Sequence, residues 1–287
     1  MKQFIQFKKQ RSLGDILSDS FAFVRNEYKP LFKALVQNAA IPFVLLIAAT
    51  VYYTNSIGDI SSLFLDSSAA SGANLVISVL FFAVTNMLFV GVFYGTILTY
   101  IKSYTENNGI ANHEEIRQIV KSKFLSFLGA SCLVSIVTGF GLAFCIIPGI
   151  YLGVVLSMVF PLMIFNDRST TDAFSDAFKF IKEEWWITFA TLVVMYLIIY
   201  FVNMILALPA AIYGMTKSFT GNDIYTPGDP LAMVDWVYLT LSTISSAIGY
   251  ILMSFLVIAI AFIYFNINEK KNQTGTLEEI DSIGSDL

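Results

Sequence analysis

Five stretches of this chain contain no Asp, Glu, Lys or Arg: Ala34–Gly58, Ser67–Ile101, Phe124–Asn166, Trp185–Thr216 and Trp236–Asn268. A helix needs about 20 apolar residues to cross a hydrocarbon core about 30 Å thick, and each stretch is long enough. The third is long enough for two crossings, and Pro148-Gly149 interrupts it where a tight turn would fall. The reading is an all-α integral membrane protein with six spans at about 31–53, 74–101, 124–145, 149–166, 187–213 and 236–266. With 56% hydrophobic and 13% charged residues, the chain carries more apolar surface than a soluble core can enclose, since soluble domains are about 25% charged. Residues 1–12 form a basic N-terminal segment without the short apolar core and small-residue cleavage site of a signal peptide. Residues 13–268 form one membrane domain, and 269–287 an acidic tail expected to be disordered.

The cations set the expected orientation. Every Lys and Arg except Lys217 falls in residues 1–33, the second loop, the fourth loop or the tail. Short connections rich in Lys and Arg stay on the cytoplasmic side, so both termini are expected there. The outer connections carry Asp59, Asp66, Asp223, Asp229 and Asp235 instead.

The cytoplasmic approaches to spans one, three and five are two-faced. Phe174, Ala177, Phe178, Ile181 and Trp185 recur at helical spacing before span five, with Asp172, Asp176, Lys179 and Lys182 on the other side. Similar patterns precede span one (Leu13, Ile16, Leu17, Phe21, Val24) and span three (Ile116, Ile119, Val120, Phe124). The architecture expected is three hairpins, each preceded by an amphipathic interfacial helix. Gly14–Phe32 aligns without gaps on Thr171–Phe189, pairing Asp15 with Asp172, Ser18 with Ser175, Asp19 with Asp176, Phe21 with Phe178, Phe23 with Phe180, Glu27 with Glu184 and Phe32 with Phe189. That pattern reads as an internal repeat.

No ionisable residue lies in a span core, which argues against a carboxylate-driven pump. The buried polar candidates are Asn86 and Asn203, either as interhelical hydrogen-bonding groups or as the lining of a polar or lipid-headgroup site. The pairs Gly91/Gly95 and Gly149/Gly153 allow close helix approach, within the bundle or across a dimer face. Cys132 and Cys145 are too far apart on a helix for a disulfide. The lone histidine, His113, cannot make a two-histidine metal site and reads as a solvated loop residue. No phosphate-binding loop or nucleophile motif occurs, and a net charge of −4 gives no basic face for nucleic acid. The chain is therefore read as a non-enzyme without a cofactor, whose partners are membrane lipids and possibly other membrane proteins. A scaffold or accessory subunit is the leading function. A permease or lipid-handling protein with a site between the repeats is the alternative. A lipid-directed enzyme with metal at Asp223, Asp229 and Asp235 is the third reading.

Ile147-Pro148-Gly149-Ile150-Tyr151-Leu152, then Pro161, then Asp172-Ala173-Phe174 leading to Ile181-Lys182 and Trp185-Trp186, resembles a bacterial group of six-span proteins. That group comprises the YciC-like proteins and the membrane domain fused to some glycerophosphoryl diester phosphodiesterases. The resemblance implies a bacterial cytoplasmic (inner) membrane location. It gives Pro148, Tyr151, Pro161, Trp185 and Trp186 roles in the family's turn and interface. It does not imply phosphodiesterase activity, which belongs to the soluble partner of the fusion.

Overall fold

The computed structural model describes residues 4–58, 69–220, 236–275 and 277. Among these the chain is all-helical and contains six helical segments long and apolar enough to cross a membrane, the fourth of them Ile146–Phe165 taken as a whole. The helices are α1 (Leu13–Gly58), α2 (Ala69–Glu106), α3 (His113–Ser122), α4 (Phe124–Phe144), α5 (Ile146–Leu156), α6 (Val159–Phe165), α7 (Thr170–Ile181), α8 (Trp185–Thr220) and α9 (Trp236–Asn272). The outer-connection residues Asp59, Asp66, Asp223, Asp229 and Asp235, and the tail from residue 278, lie outside the described residues.

The amphipathic segments before spans three and five form separate helices, α3 and α7. Lys123 breaks the first from its span with φ −95° and ψ 10°, and residues 182–184 form a turn before α8. The segment before span one differs from the expected interfacial helix: it is continuous with its span. α1 is 46 residues long, roughly 69 Å at 1.5 Å per residue. It passes through Pro30 and Pro42, each of which removes one backbone N–H from the helical ladder.

The expected turn at Pro148-Gly149 is displaced. The break falls at Cys145, whose φ of −164° and ψ of 135° are extended. Pro148 sits in the first turn of α5, where its missing N–H would have had no intrahelical partner. The returning arm is itself divided by a turn at Ser157-Met158, where Ser157 Oγ donates to the Val154 carbonyl at 2.7 Å. Pro161 then occupies the first turn of α6. The segment expected to begin the disordered tail is partly built into the fold. α9 continues to Asn272, and Glu269 is 2% exposed.

Two compact units make up the chain. The first comprises Met1–Ala40, Val90–Tyr196 and Ser254–Leu287. The N-terminal segment contributes to its core, with Phe7 only 1% exposed. Phe7 stacks on Phe262 at 4.3 Å and meets the edge of Phe23 at 5.1 Å. Basic composition hides this, because Lys8 and Lys9 flank a single aromatic anchor. The second unit comprises Ile41–Phe89 and Leu197–Met253. Its packing includes Phe43 and Phe89 at 5.6 Å, Phe89 and Tyr250 at 5.5 Å, and Tyr53 stacked on Phe82 at 5.1 Å.

The glycine pairs separate once their surroundings are known. A Cβ at Gly91 would lie 2.8 Å from the Phe127 carbonyl oxygen, and one at Gly95 would lie 2.4 Å from the Phe127 ring. Both glycines therefore admit α4 against α2. Gly149 admits Leu142, whose atoms would stand 2.6 Å from an added Cβ, whereas Gly153 meets nothing closer than 3.6 Å. Gly141, which faces Gly149 across the same hairpin, is a contact the spacing rule did not find. Gly91→Ala is expected to destabilise by about 1–3 kcal/mol through overpacking against backbone, while Gly153→Ala is close to neutral. Thermal melts of the two variants in one detergent would check the contrast.

Candidate functional site

The two amides singled out in the sequence meet the same stretch of α9 within the second unit. Asn203 donates through Nδ2 to the Ile199 carbonyl at 3.0 Å on its own helix. Its Oδ1 lies where a Cβ at Gly249 would be, at 2.4 Å, so the absence of a side chain at 249 makes room for it. The side chains of Asn86 and Thr50 lie within reach of the Tyr250 hydroxyl. Ser245 Oγ, one turn earlier, donates to the Leu206 carbonyl at 2.6 Å. These contacts tie α1, α2 and α8 to α9 through polar groups satisfied inside the unit. In lipid such bonds are worth about 0.6–2 kcal/mol each. The arrangement is that of interhelical attachment.

The first unit holds a denser polar cluster. Arg11 is 8% exposed. Its Nε pairs with Asp19 at 2.8 Å, its Nη1 donates to the carbonyls of Phe7 at 2.8 Å and Lys9 at 3.1 Å, and its Nη2 donates to that of Gln6. The guanidinium lies over the Phe262 ring at 4.6 Å, and the Arg11 N–H donates to Asn266 Oδ1 at 2.8 Å. Glu27, 4% exposed, accepts from the Tyr100 hydroxyl at 2.8 Å. Glu269 accepts from Thr274 Oγ1 and from the Gly275 N–H. Burial of a charge demands such partners, and these three have them.

The contacts around Arg11 recur around Arg168. Arg11 Nε pairs with Asp19 at 2.8 Å, and Arg168 Nε pairs with Asp176 at 3.3 Å. Ser12 Oγ donates to Asp15 at 2.7 Å and accepts from its N–H at 3.3 Å. Ser169 Oγ donates to Asp172 at 2.7 Å and accepts from its N–H at 3.2 Å. Each Ser-x-x-Asp unit is a reciprocal helix cap. The hydrogen bond from Ser12 holds the Asp15 carboxyl below its ordinary range. The matched segments thus begin at Arg11 and Arg168, three residues before the aligned Gly14 and Thr171, and the capping signature was the sequence signal that reaches them.

α7 is flanked by two concavities of different character. A cleft of about 260 Å³ is lined by Asn166, Arg168, Asp176, Lys179, Asn268 and Lys271, among others. A groove of about 570 Å³ is lined by Ile147, Ile150, Tyr151, Trp185, Trp186 and Phe189, with Lys182 at its edge. Tyr151 stacks on Trp185 at 5.7 Å, and Trp185 stacks on Phe189 at 5.2 Å. The family-like residues Tyr151, Trp185 and Trp186 are therefore brought together in its lining, while Pro148 and Pro161 stand in the first turns of α5 and α6. The Trp185 indole N–H is buried without an acceptor among the described residues. Trp186 is 75% exposed.

His113 is not a freely solvated loop residue. It opens α3, packs 6.4 Å from Tyr100, and its Nδ1 is buried without a partner. Burial, with Lys33 adding repulsion, lowers its pKa. Asp167, at φ 50° in the turn before α7, joins Lys123 at 2.7 Å and Lys102 at 3.0 Å. The Lys123 hydrogen bond, then that of Lys102, holds the Asp167 carboxyl below its ordinary range despite opposing desolvation.

Fold and polar groups together define an all-α multi-pass membrane protein. Among the described residues no group of three or more His, Cys, Asp or Glu is placed to hold a metal ion, and Asp223, Asp229 and Asp235 lie outside them. Cys132 and Cys145 are both free thiols. In comparisons with known proteins, no family model matches the chain, and no curated protein or solved structure does.

Two outcomes are expected. Arg11→Ala is expected to cost about 3 kcal/mol, because it strands buried partners, whereas Arg168→Ala, at the half-exposed Arg168–Asp176 pair, costs about 0–1 kcal/mol; unfolding midpoints of the two variants measure the difference. For His113, the folded pKa lies below the unfolded value near 6.5. The unfolded chain then binds the proton first as the solution is acidified. The stability linked to this group is complete above the ordinary histidine range and falls as pH drops through it. Melting between pH 7.5 and 5.5 is expected to show a shallower decline in His113→Gln than in the unaltered protein.

Proposed function

We propose that this chain is a non-enzymatic membrane scaffold or accessory subunit that holds partner membrane proteins or lipids in the cytoplasmic membrane of a bacterium, with both termini in the cytoplasm. The observation that carries this reading is the engagement of its buried polar side chains. Arg11, Glu27, Glu269, Asn86 and Asn203 are all taken up by contacts inside the chain. A catalytic or ion-coupling site needs such groups turned toward a substrate with shifted pKa values. What the chain turns outward is the charged cleft and the aromatic groove on either side of α7.

The equivalent contacts around Arg11 and Arg168 support reading the chain as an internal duplication, in which one ancestral interfacial helix served twice. The Ile147–Leu152 turn with Trp185-Trp186 supports placing it with the YciC-like group and the phosphodiesterase-fused membrane domains. In that reading three of the residues that carry the resemblance, Tyr151, Trp185 and Trp186, line the aromatic groove.

The test is extraction in native-lipid nanodiscs followed by native mass spectrometry. A stoichiometric protein or lipid adduct, reduced at least tenfold in Trp186→Ala, is the expected result. A bare monomer that moves solute across proteoliposomes, and stops doing so in Asn203→Leu, would replace the scaffold with a permease.

A further inference from the structure

The charge-free run from Phe124 to Asn166 is long enough to cross a membrane twice, yet its contacts keep both of its ends near one another. At its base, Lys123 pairs with Asp167 at 2.7 Å and Lys102 pairs with the same carboxylate at 3.0 Å. Phe165 stacks on Tyr264 of α9 at 4.9 Å, and Asn166 accepts from the Tyr264 hydroxyl. The turn between the arms is at Cys145, and Tyr151, on the first turns of the returning arm, stacks on Trp185.

Trp185 has a fixed level. Its neighbour Glu184 pairs with Lys270 at 2.8 Å. Phe180 stacks on Tyr264 at 5.2 Å and accepts from Lys271 at 2.8 Å through its carbonyl. The base of the hairpin and the residues beside its tip therefore meet the same charged end of α9, at Tyr264 and at Lys270. Cys145 lies six residues from Tyr151, about 9 Å of helix. A tip on the opposite face would have to stand about 30 Å from the Glu184–Lys270 pair.

α7 supports the same placement. It runs alongside the hairpin, from Thr170, which donates to the Ser126 carbonyl at 3.3 Å near the base, to Trp185 beside the tip. It packs against α4, α5 and α6 through buried Ala173, Ala177 and Ile181. Asp172, Asp176, Lys179 and Lys182 line its other side along its whole length. Charges at that density do not enter hydrocarbon, so α7 lies at the membrane surface. The hairpin beneath it then lies at the depth of one leaflet.

We infer that the α4–α5 hairpin is re-entrant: it enters and leaves the membrane on the side that carries Lys182 and Lys270, and its tip inserts among the acyl chains of that leaflet alone. Phe140 (62% exposed), Phe144 (86%), Ile146 (68%) and Ile147 (77%) form the surface presented to those chains. Two arms suited by length to full crossings are thereby laid obliquely under one amphipathic helix. The inference is independent of what the protein binds.

Cys145 provides the probe, because it is exposed and the only other cysteine is Cys132. A nitroxide on Cys145 in Cys132→Ser, or in Cys132→Ala should the first variant fold poorly, is compared with one on Glu183→Cys in a background without native cysteines. Both are placed in vesicles of uniform orientation, and a membrane-impermeant nickel chelate is supplied to one face at a time. The expected result is that the chelate relaxes both labels from the same face, residue 183 more strongly. Relaxation of the Cys145 label from the opposite face, equally from both, or from neither overturns the inference.

Discussion

A bilayer offers a charge no hydration, and the first unit is organised around that exclusion. Its ionisable groups gather where the apolar stretches end, and those that are buried are paired: Arg11 with Asp19 and backbone carbonyls, Glu27 with Tyr100, Glu269 with Thr274 and Gly275. The chain N-terminal to α1 exists as structure because of this. Phe7 anchors it among Phe23, Phe262 and Phe265, and Arg11 then caps the Phe262 face. Without Arg11 the segment would bring buried carbonyls and an aromatic ring to the bundle with no counter-group.

The second unit solves a different problem with weaker forces. Helices in lipid gain nothing from hiding leucine from more hydrocarbon, so close packing and hydrogen bonds must hold them. α9 supplies most of the attachment points in a short span: Ser245, the side-chain-free surface of Gly249, and Tyr250. Asn86 and Asn203 come from separate helices and converge on adjacent residues of α9. Their polarity was visible in the sequence; their shared destination was not, because nothing in either local sequence names Tyr250 or Gly249.

The two matched segments show how one local sequence takes two settings. Ser12 and Ser169 cap their helices through the same hydroxyl–aspartate exchange, and Asp19 and Asp176 each pair with the arginine eight residues earlier. Beyond the cap they diverge. Glu27 turns into the core to meet Tyr100, while Glu184 turns outward to Lys270. The first segment continues unbroken into α1, and the second stops at residues 182–184 before α8. The cap is set by contacts three residues apart and so forms wherever that local sequence stands. The later contacts are set by whichever helix lies opposite.

The sequence by itself determined the helical class, the six apolar helices and the places where charge could not go, because hydropathy and charge exclusion act on residues near in the chain. It also determined the tight approach at Gly91 and Gly95, which follows from local spacing. Only tertiary structure decided that Phe7, Arg11 and Glu269 are buried, that the break falls at Cys145 instead of Pro148, and that Tyr151 meets Trp185. Phe7 and Tyr151 find their partners, Phe262 and Trp185, dozens of residues or more away, where no local pattern reaches. A charge-free run says that a segment tolerates hydrocarbon; the contacts of its neighbours decide how deep it goes.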